Sequence, residues 1–180
     1  MIDVNRLKYW LCIITVVSAT ANAQPLSPEL LKGETLFRNA GGYGCQVCHG
    51  LYAHGGNQAG GNIRGATELK LIEALSRQPT MHLLTQVLSQ SEIRSISNYL
   101  QYLGNTPMVE LHFKDGKWHV KEEIFQPGDL VQLVIFNESF TQQILDLSAI
   151  ELGEIPVGAM ETIGILWTRQ KKYSSFPLLQ

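Results

Sequence analysis

Cysteine is scarce in this chain. It occurs three times in 180 residues, as Cys12, Cys45 and Cys48, and nowhere beyond position 48. That is too few for a disulfide-stapled scaffold. A tetrahedral zinc site would need ligands beyond one cysteine pair, usually a second pair, and there is none. A blue-copper centre requires a thiolate, so the second half of the chain cannot build one from its own residues. Charge of one sign is also lacking: the net charge is −2, which argues against a nucleic-acid role. No internal repeat is visible, and the apolar run near the start, "YWLCIITVV", falls well short of the roughly 20 residues that cross a bilayer.

That run is nevertheless informative. Arg6 and Lys8 flank its start, and small residues ending in "ANAQ" follow it. A basic start, a short apolar stretch and an Ala-x-Ala site predict a secretory signal peptide over residues 1–23, cleaved after Ala23. Retention as a membrane anchor is the alternative; with the segment cleaved, the protein would be peripheral to a membrane at most. Cys12 follows the bulky "KYWL" and sits too early for a lipid-anchor site. The expected mature chain begins near Gln24, in the periplasm, with Cys45 and Cys48 as its only thiols.

The apolar spacing changes near "LGNTPM" (103–108). Before it the pattern is helical. Ser27 caps a first helix that opens on Pro28. Thr67 caps a second, "ELKLIEALSR". Ser89 and Glu92 form a capping box for a third, with Ile93, Ile96, Leu100 and Leu103 on one face and Gly104 and Pro107 ending it. Beyond Met108 the period is two. "VELHFKDGKWHV" predicts a hairpin turning at Asp115-Gly116, pairing Phe113 with Trp118, Leu111 with Val120, His112 with His119 and Glu110 with Lys121. Strands are expected in "LVQLVIFN", "QQILDLSA" and "METIGILWT", separated by turns at Pro127-Gly128, Asn137-Glu138-Ser139 and Pro156-Val157-Gly158, which suggests a small β-sandwich. Residues 24–107 carry six basic and five acidic side chains, residues 108–180 six and ten, so the more acidic half could steer toward a basic partner.

The densest chemistry lies in "GCQVCHG" (44–50). Cys-x-x-Cys-His is the attachment signature of c-type haem. Each thiol adds across one vinyl group of the porphyrin. Two intervening residues let one turn of chain reach both vinyls, and the next residue, His49, is held beneath the iron. Zinc, a thioredoxin-type redox pair and a plain disulfide are the competing readings. Zinc lacks its further ligands, and a redox pair would follow a strand and open a long helix.

Residues 27–104 resemble the small class I cytochrome c domain, through "GETLF", "GCQVCHG", "GGNIRG", a methionine after a short helix, and "LSQSEIRSISNYLQYL". The resemblance implies an all-α fold whose first and last helices cross at Gly33, with Phe37 and Tyr99 packed there. It implies Cys45 and Cys48 as the covalent haem c attachments, His49 as the proximal iron ligand and Met81 as the distal one. Pro79 would end the preceding helix and leave Met81 in an extended loop. His82, His54 or an open position are the alternatives. Gly60-Gly61 stands where many members have Gly-Pro, whose proline carbonyl orients the proximal imidazole, so that hydrogen bond lacks its usual residue.

Residues 108–180 resemble a cupredoxin-type sandwich, through "EEIFQPGDLVQLVIFNES", the Asn137-to-Gln143 spacing and "IPVGAMETIGIL". Gln143 stands near the place of the first copper-binding histidine, and "YSSFPLLQ" has serine near the place of the cysteine. A metal on His112 and His119 is a lesser alternative, because their face also carries Glu110, Lys114, Lys117 and Lys121 and reads as a solvated polar face. The expectation is therefore multidomain: a signal peptide (1–23), an all-α cytochrome c domain (24–106) and an all-β cupredoxin-like domain (107–180) lacking copper. The expected role is a periplasmic mono-haem electron carrier, not itself an enzyme, exchanging electrons with redox partner proteins. The alternatives are a haem subunit of a periplasmic dehydrogenase or oxidase, and a haem-based ligand sensor.

Overall fold

The computed structural model describes residues 26–55 and 59–168; the expected signal peptide and the "YSSFPLLQ" stretch lie outside them. A helical part is followed by a β region. Helices α1 (Pro28–Asn39), α2 (Gln46–His49), α3 (Glu68–Arg77), α4 (Pro79–His82) and α5 (Gln90–Asn105) come first. Their starts follow side-chain chemistry. The Ser27 hydroxyl accepts from the Leu30 amide, and Pro28 stands at the first helical position, where its missing N–H costs nothing. Thr67 accepts from Lys70. Ser89 and Glu92 close a reciprocal capping box.

Helices α1 and α5 cross at Gly33, where a Cβ would lie 2.2 Å from the Ser95 carbonyl oxygen. Phe37 and Tyr99 pack beside the crossing with ring centroids 5.7 Å apart, and both are buried. The face of α5 is the expected one: Ile93, Ile96, Leu100 and Leu103 are all in the core. Two expectations need correction. Gly104 lies inside α5 and does not end it; it is needed because a Cβ there would come within 2.6 Å of Gly65. Met81 sits in the one-turn helix α4, not in an extended loop. Gln78 is extended, as a residue before proline should be, but Pro79 then starts a new helical turn.

The β region contains β1 (Met108–Lys114), β2 (Lys117–Glu122), β3 (Leu130–Asn137), β4 (Gln143–Asp146), β5 (Glu154–Val157) and β6 (Thr162–Thr168). The hairpin register is the one expected, pair for pair, and Asp115 and Gly116 both have positive φ, at 52° and 78°, as a two-residue turn matched to strand twist requires. A four-stranded mixed sheet runs β2-β1-β3-β6, with a two-stranded β4-β5 hairpin beside it. Strands β1 and β3 are parallel. The chain after β2 therefore crosses β1 before starting β3, and Phe125 on that crossing is buried against Trp167. Residues 154–157, expected in part as a turn, form β5, with Pro156 opposite Ile144; proline is tolerated there because the ladder has an open edge.

The sheet is covered on both faces. One face sends Val109, Leu111, Val131, Leu133, Ile135 and Trp167 into a core shared with β4 and β5. The other sends Met108 and Val134 into the core of the helical part. On that second face Gly164 admits the loop after α2: a Cβ there would lie 2.3 Å from Leu51 and 2.9 Å from Tyr52. Glu110 is only 8 % exposed and Gln132 1 %, so the face read as solvated is in part an internal surface.

Candidate cofactor site

The motif is hooked to the end of α1. Gly44, at φ 71°, makes the turn; a Cβ there would lie 2.1 Å from the Arg38 carbonyl oxygen. The Cys45 amide then donates to the Phe37 carbonyl at 2.7 Å. Arg38 reinforces the hook by donating to Gln46 at 3.1 Å and to Glu34 at 3.0 Å. The amides of Cys48 and His49 both donate to the Cys45 carbonyl, at 3.2 and 2.9 Å. Cys45, Cys48 and His49 therefore share one helical turn at i, i+3 and i+4, which places them on one side of it.

The two thiols are free and differ in setting: Cys45 is half-buried, Cys48 exposed. Burial pushes the Cys45 thiol up to about 11, reinforced by the neighbouring Cys48. A redox dithiol needs the opposite, an accessible first cysteine with a depressed pKa. Among the described residues no three His, Cys, Asp or Glu side chains gather as a metal ion would require, so the three motif residues stand adjacent without forming a tripod.

His49 is oriented from behind. Its Nδ1 lies 2.7 Å from the Gly61 carbonyl oxygen. A carbonyl only accepts, so Nδ1 carries the proton and Nε2 keeps its lone pair for a ligand bond. A glycine, Gly61, supplies this carbonyl. Gly60 makes room for this: a Cβ there would lie 2.6 Å from Nδ1 and 2.8 Å from the Cys48 carbonyl oxygen. The Gly60 amide donates to that same carbonyl at 2.6 Å.

Cys45, Cys48, His49 and Met81 line one cleft of about 390 Å³, with Leu71, Leu84, Ile96 and Leu100 supplying apolar wall. Gln78 and Thr80 also line it; no motif marked them, because their place depends on how α4 follows α3. The competing histidines are outside the lining. His82 turns its Nδ1 to the Leu75 carbonyl at 3.2 Å. His54 lies over Gly50, in the loop that meets the sheet. Among the described residues its buried Nδ1 has no hydrogen-bond partner, and burial lowers its pKa, with Glu110 opposing and Arg64 assisting.

His112 and His119 are cross-strand neighbours, but both nitrogens of His112 and one of His119 are engaged elsewhere. His112 sits between carboxylates, Nε2 3.2 Å from Glu110 and Nδ1 3.0 Å from Glu138. His119 Nε2 is 3.3 Å from the Lys114 carbonyl oxygen. At the same end of the sheet, Gln143 donates to Thr141 and Ser139 at 2.9 and 3.3 Å, and the buried Asn137 donates to the carbonyls of Thr141, Val157 and Gly158. These amides tie loops together.

Compared with known proteins, the chain matches no family model, no curated protein and no solved structure.

Proposed function

We propose that the helical part is a class I cytochrome c-type unit holding one covalent haem c, and that the protein is an electron carrier and not itself an enzyme. The observation that carries this reading is the shared cleft: two thiols and an imidazole from one helical turn on one side, and the Met81 thioether in the same lining. The donor set fits haem better than zinc or a dithiol. Three ligands of a zinc ion must converge, whereas two thioethers and one imidazole attach to different places on one ring.

The bound haem would supply one reversible electron at iron. The chain's own work is to hold and tune it. His49, with Nδ1 engaged by Gly61, would hold the iron through Nε2. Met81 would be the second protein ligand, and a thioether there would favour the ferrous state. Leu71, Leu84, Ile96 and Leu100 exclude water from the cleft wall. Exposed Cys48, Val47 and Tyr43 leave the motif side open to a redox partner.

For the β region we propose a cupredoxin-like sandwich without copper, used for contact with partners. It has no cysteine, and Gln143 is held in loop hydrogen bonds. A second reading, a haem subunit of a periplasmic dehydrogenase or oxidase, is favoured by the large apolar side chains the β region leaves outside, Ile124 at 93 % and Phe140 at 88 % exposure. Purification from the native host alone, or with a larger subunit, separates the two. The periplasm is the compartment we propose, from the N-terminal pattern. Among the described residues no helix is long and apolar enough to cross a membrane.

The direct test is maturation with a haem-ligation system, denaturation and haem staining. The stain should survive acid–acetone extraction, weaken with Cys45→Ala or Cys48→Ala, and vanish with both. His49→Ala should impair maturation more than His54→Ala or His82→Ala. Haem extracted freely from the wild type would overturn the proposal.

A further inference from the structure

The proximal hydrogen bond depends on where Gly61 points its carbonyl, and Gly61 opens a short stretch pinned throughout. The Ile63 amide donates to the Ala53 carbonyl at 2.9 Å and the Gly65 amide to the Leu100 carbonyl at 2.7 Å. The Arg64 amide donates to Asn62 Oδ1 at 2.9 Å. Arg64 is the residue of this stretch that reaches furthest. Its Nη1 donates to the Tyr52 carbonyl at 3.3 Å and to Gln132 Oε1 at 2.5 Å, and its Nη2 donates to the Thr106 carbonyl. One guanidinium thus joins the loop after the motif, the C-terminal cap of α5 and strand β3. Gln132 is almost wholly buried, so its amide oxygen is an acceptor that water does not readily replace.

We propose that Arg64 is a positioning residue for His49, and that the β sheet, through Gln132, is the outer brace of the proximal loop. The sheet does more in this reading than contact partners. It grips Arg64, Arg64 holds Tyr52 and the 61–65 stretch in register, and that register aims the Gly61 carbonyl at His49. The contact of Leu51 and Tyr52 with Gly164 braces the same loop at a second point. A ligating histidine becomes more basic when its other nitrogen donates to a good acceptor. Weakening the brace should lower that basicity, stabilise ferric iron less and raise the reduction potential.

The part of this inference that concerns potential rests on the proposed haem; the brace itself does not. The test is Gln132→Leu in the full chain, read by amide exchange and by potentiometry. A hydrogen bond to a charged group is lost, so the Ala53, Gly55 and Ile63 amides should lose about tenfold in protection, while amides of the α1–α5 crossing keep theirs. The potential should rise at unchanged haem content. Gln132→Glu restores an acceptor, and should restore both readouts even where Gln132→Leu fails to fold. Uniform loss of protection with an unmoved potential would reduce Arg64 to a staple between the two parts and overturn the inference. A wild type without covalent haem would overturn the proposed function alone, and exchange on that chain would still judge the brace.

Discussion

At the scale of single residues, the choice among distal ligands shows what side-chain placement adds. "TMHLL" offers a thioether and an imidazole at adjacent positions. In the structure Met81 lines the cleft, while His82 is exposed and engaged with Leu75. If the proposed haem is bound as argued, Met81→Ala should open a coordination position, so that the ferrous protein binds carbon monoxide far faster than the wild type does. Met81→His should retain the haem at a lower potential, because imidazole favours ferric iron more than thioether does. Rapid carbon monoxide binding by the wild type would remove Met81 from the ligand set and favour a sensor. A second residue-scale prediction concerns His112. The hydrogen bond to Glu110, with Glu138 adding, raises its pKa above 6.5; the same bond, with Lys121 adding, holds Glu110 down to about 2. A raised histidine contributes stability that is complete below 6.5 and lost as pH rises through its folded value. A depressed carboxyl contributes stability that is lost only in acid. The stability gap between wild type and His112→Gln should therefore be wide at about pH 6 and narrow at about pH 9. Urea titrations showing the same gap at both would refute it. His54, whose lowered pKa gives an opposite slope, is present in both proteins, and burial, the main cause of its shift, is common to them.

At the scale of elements, the helix starts were legible because each depends on residues within one turn: Ser27 with Leu30, Thr67 with Lys70, Ser89 with Glu92. The β1–β2 register was legible for the same reason, since a two-residue turn ties opposite residues together. Gly104 misled because glycine near a helix end usually marks a cap, whereas here it serves a close approach to Gly65 from far along the chain. Gly33 has the same use, and its substitution decides between two effects. Alanine would favour the helix by about 1 kcal/mol. Its Cβ would also lie 2.2 Å from the Ser95 carbonyl oxygen and 2.8 Å from Tyr99 Cβ, and neither α1 nor α5 can yield without opening the Phe37–Tyr99 contact. Overpacking of this kind costs about 1–3 kcal/mol or more, which leaves a net loss of up to about 2 kcal/mol, so Gly33→Ala should lower Tm by up to about 8 °C. A higher Tm would show that the crossing is looser than its geometry implies.

At the scale of the whole molecule, the sequence by itself determined the local chemistry. The turn carrying Cys45, Cys48 and His49, the capped helices, the buried face of α5 and the β1–β2 pairing all follow from spacings of a few residues. Only the tertiary structure decided three further matters. It brought Met81 to the cleft that holds the motif. It turned the Gly61 carbonyl to His49, which the sequence left open because a glycine stands where the resemblance has proline and only the chain path decides where its carbonyl points. And it laid the β sheet against the loop behind the motif, so that Glu110 and Gln132, polar residues on an alternating strand, became internal. Alternation separates the two faces of a strand but does not reveal what each face meets. Arg64 carries the same lesson. One arginine in "NIRG" has no local signature, because its three acceptors, Tyr52, Thr106 and Gln132, come together only when the helical part and the sheet are packed.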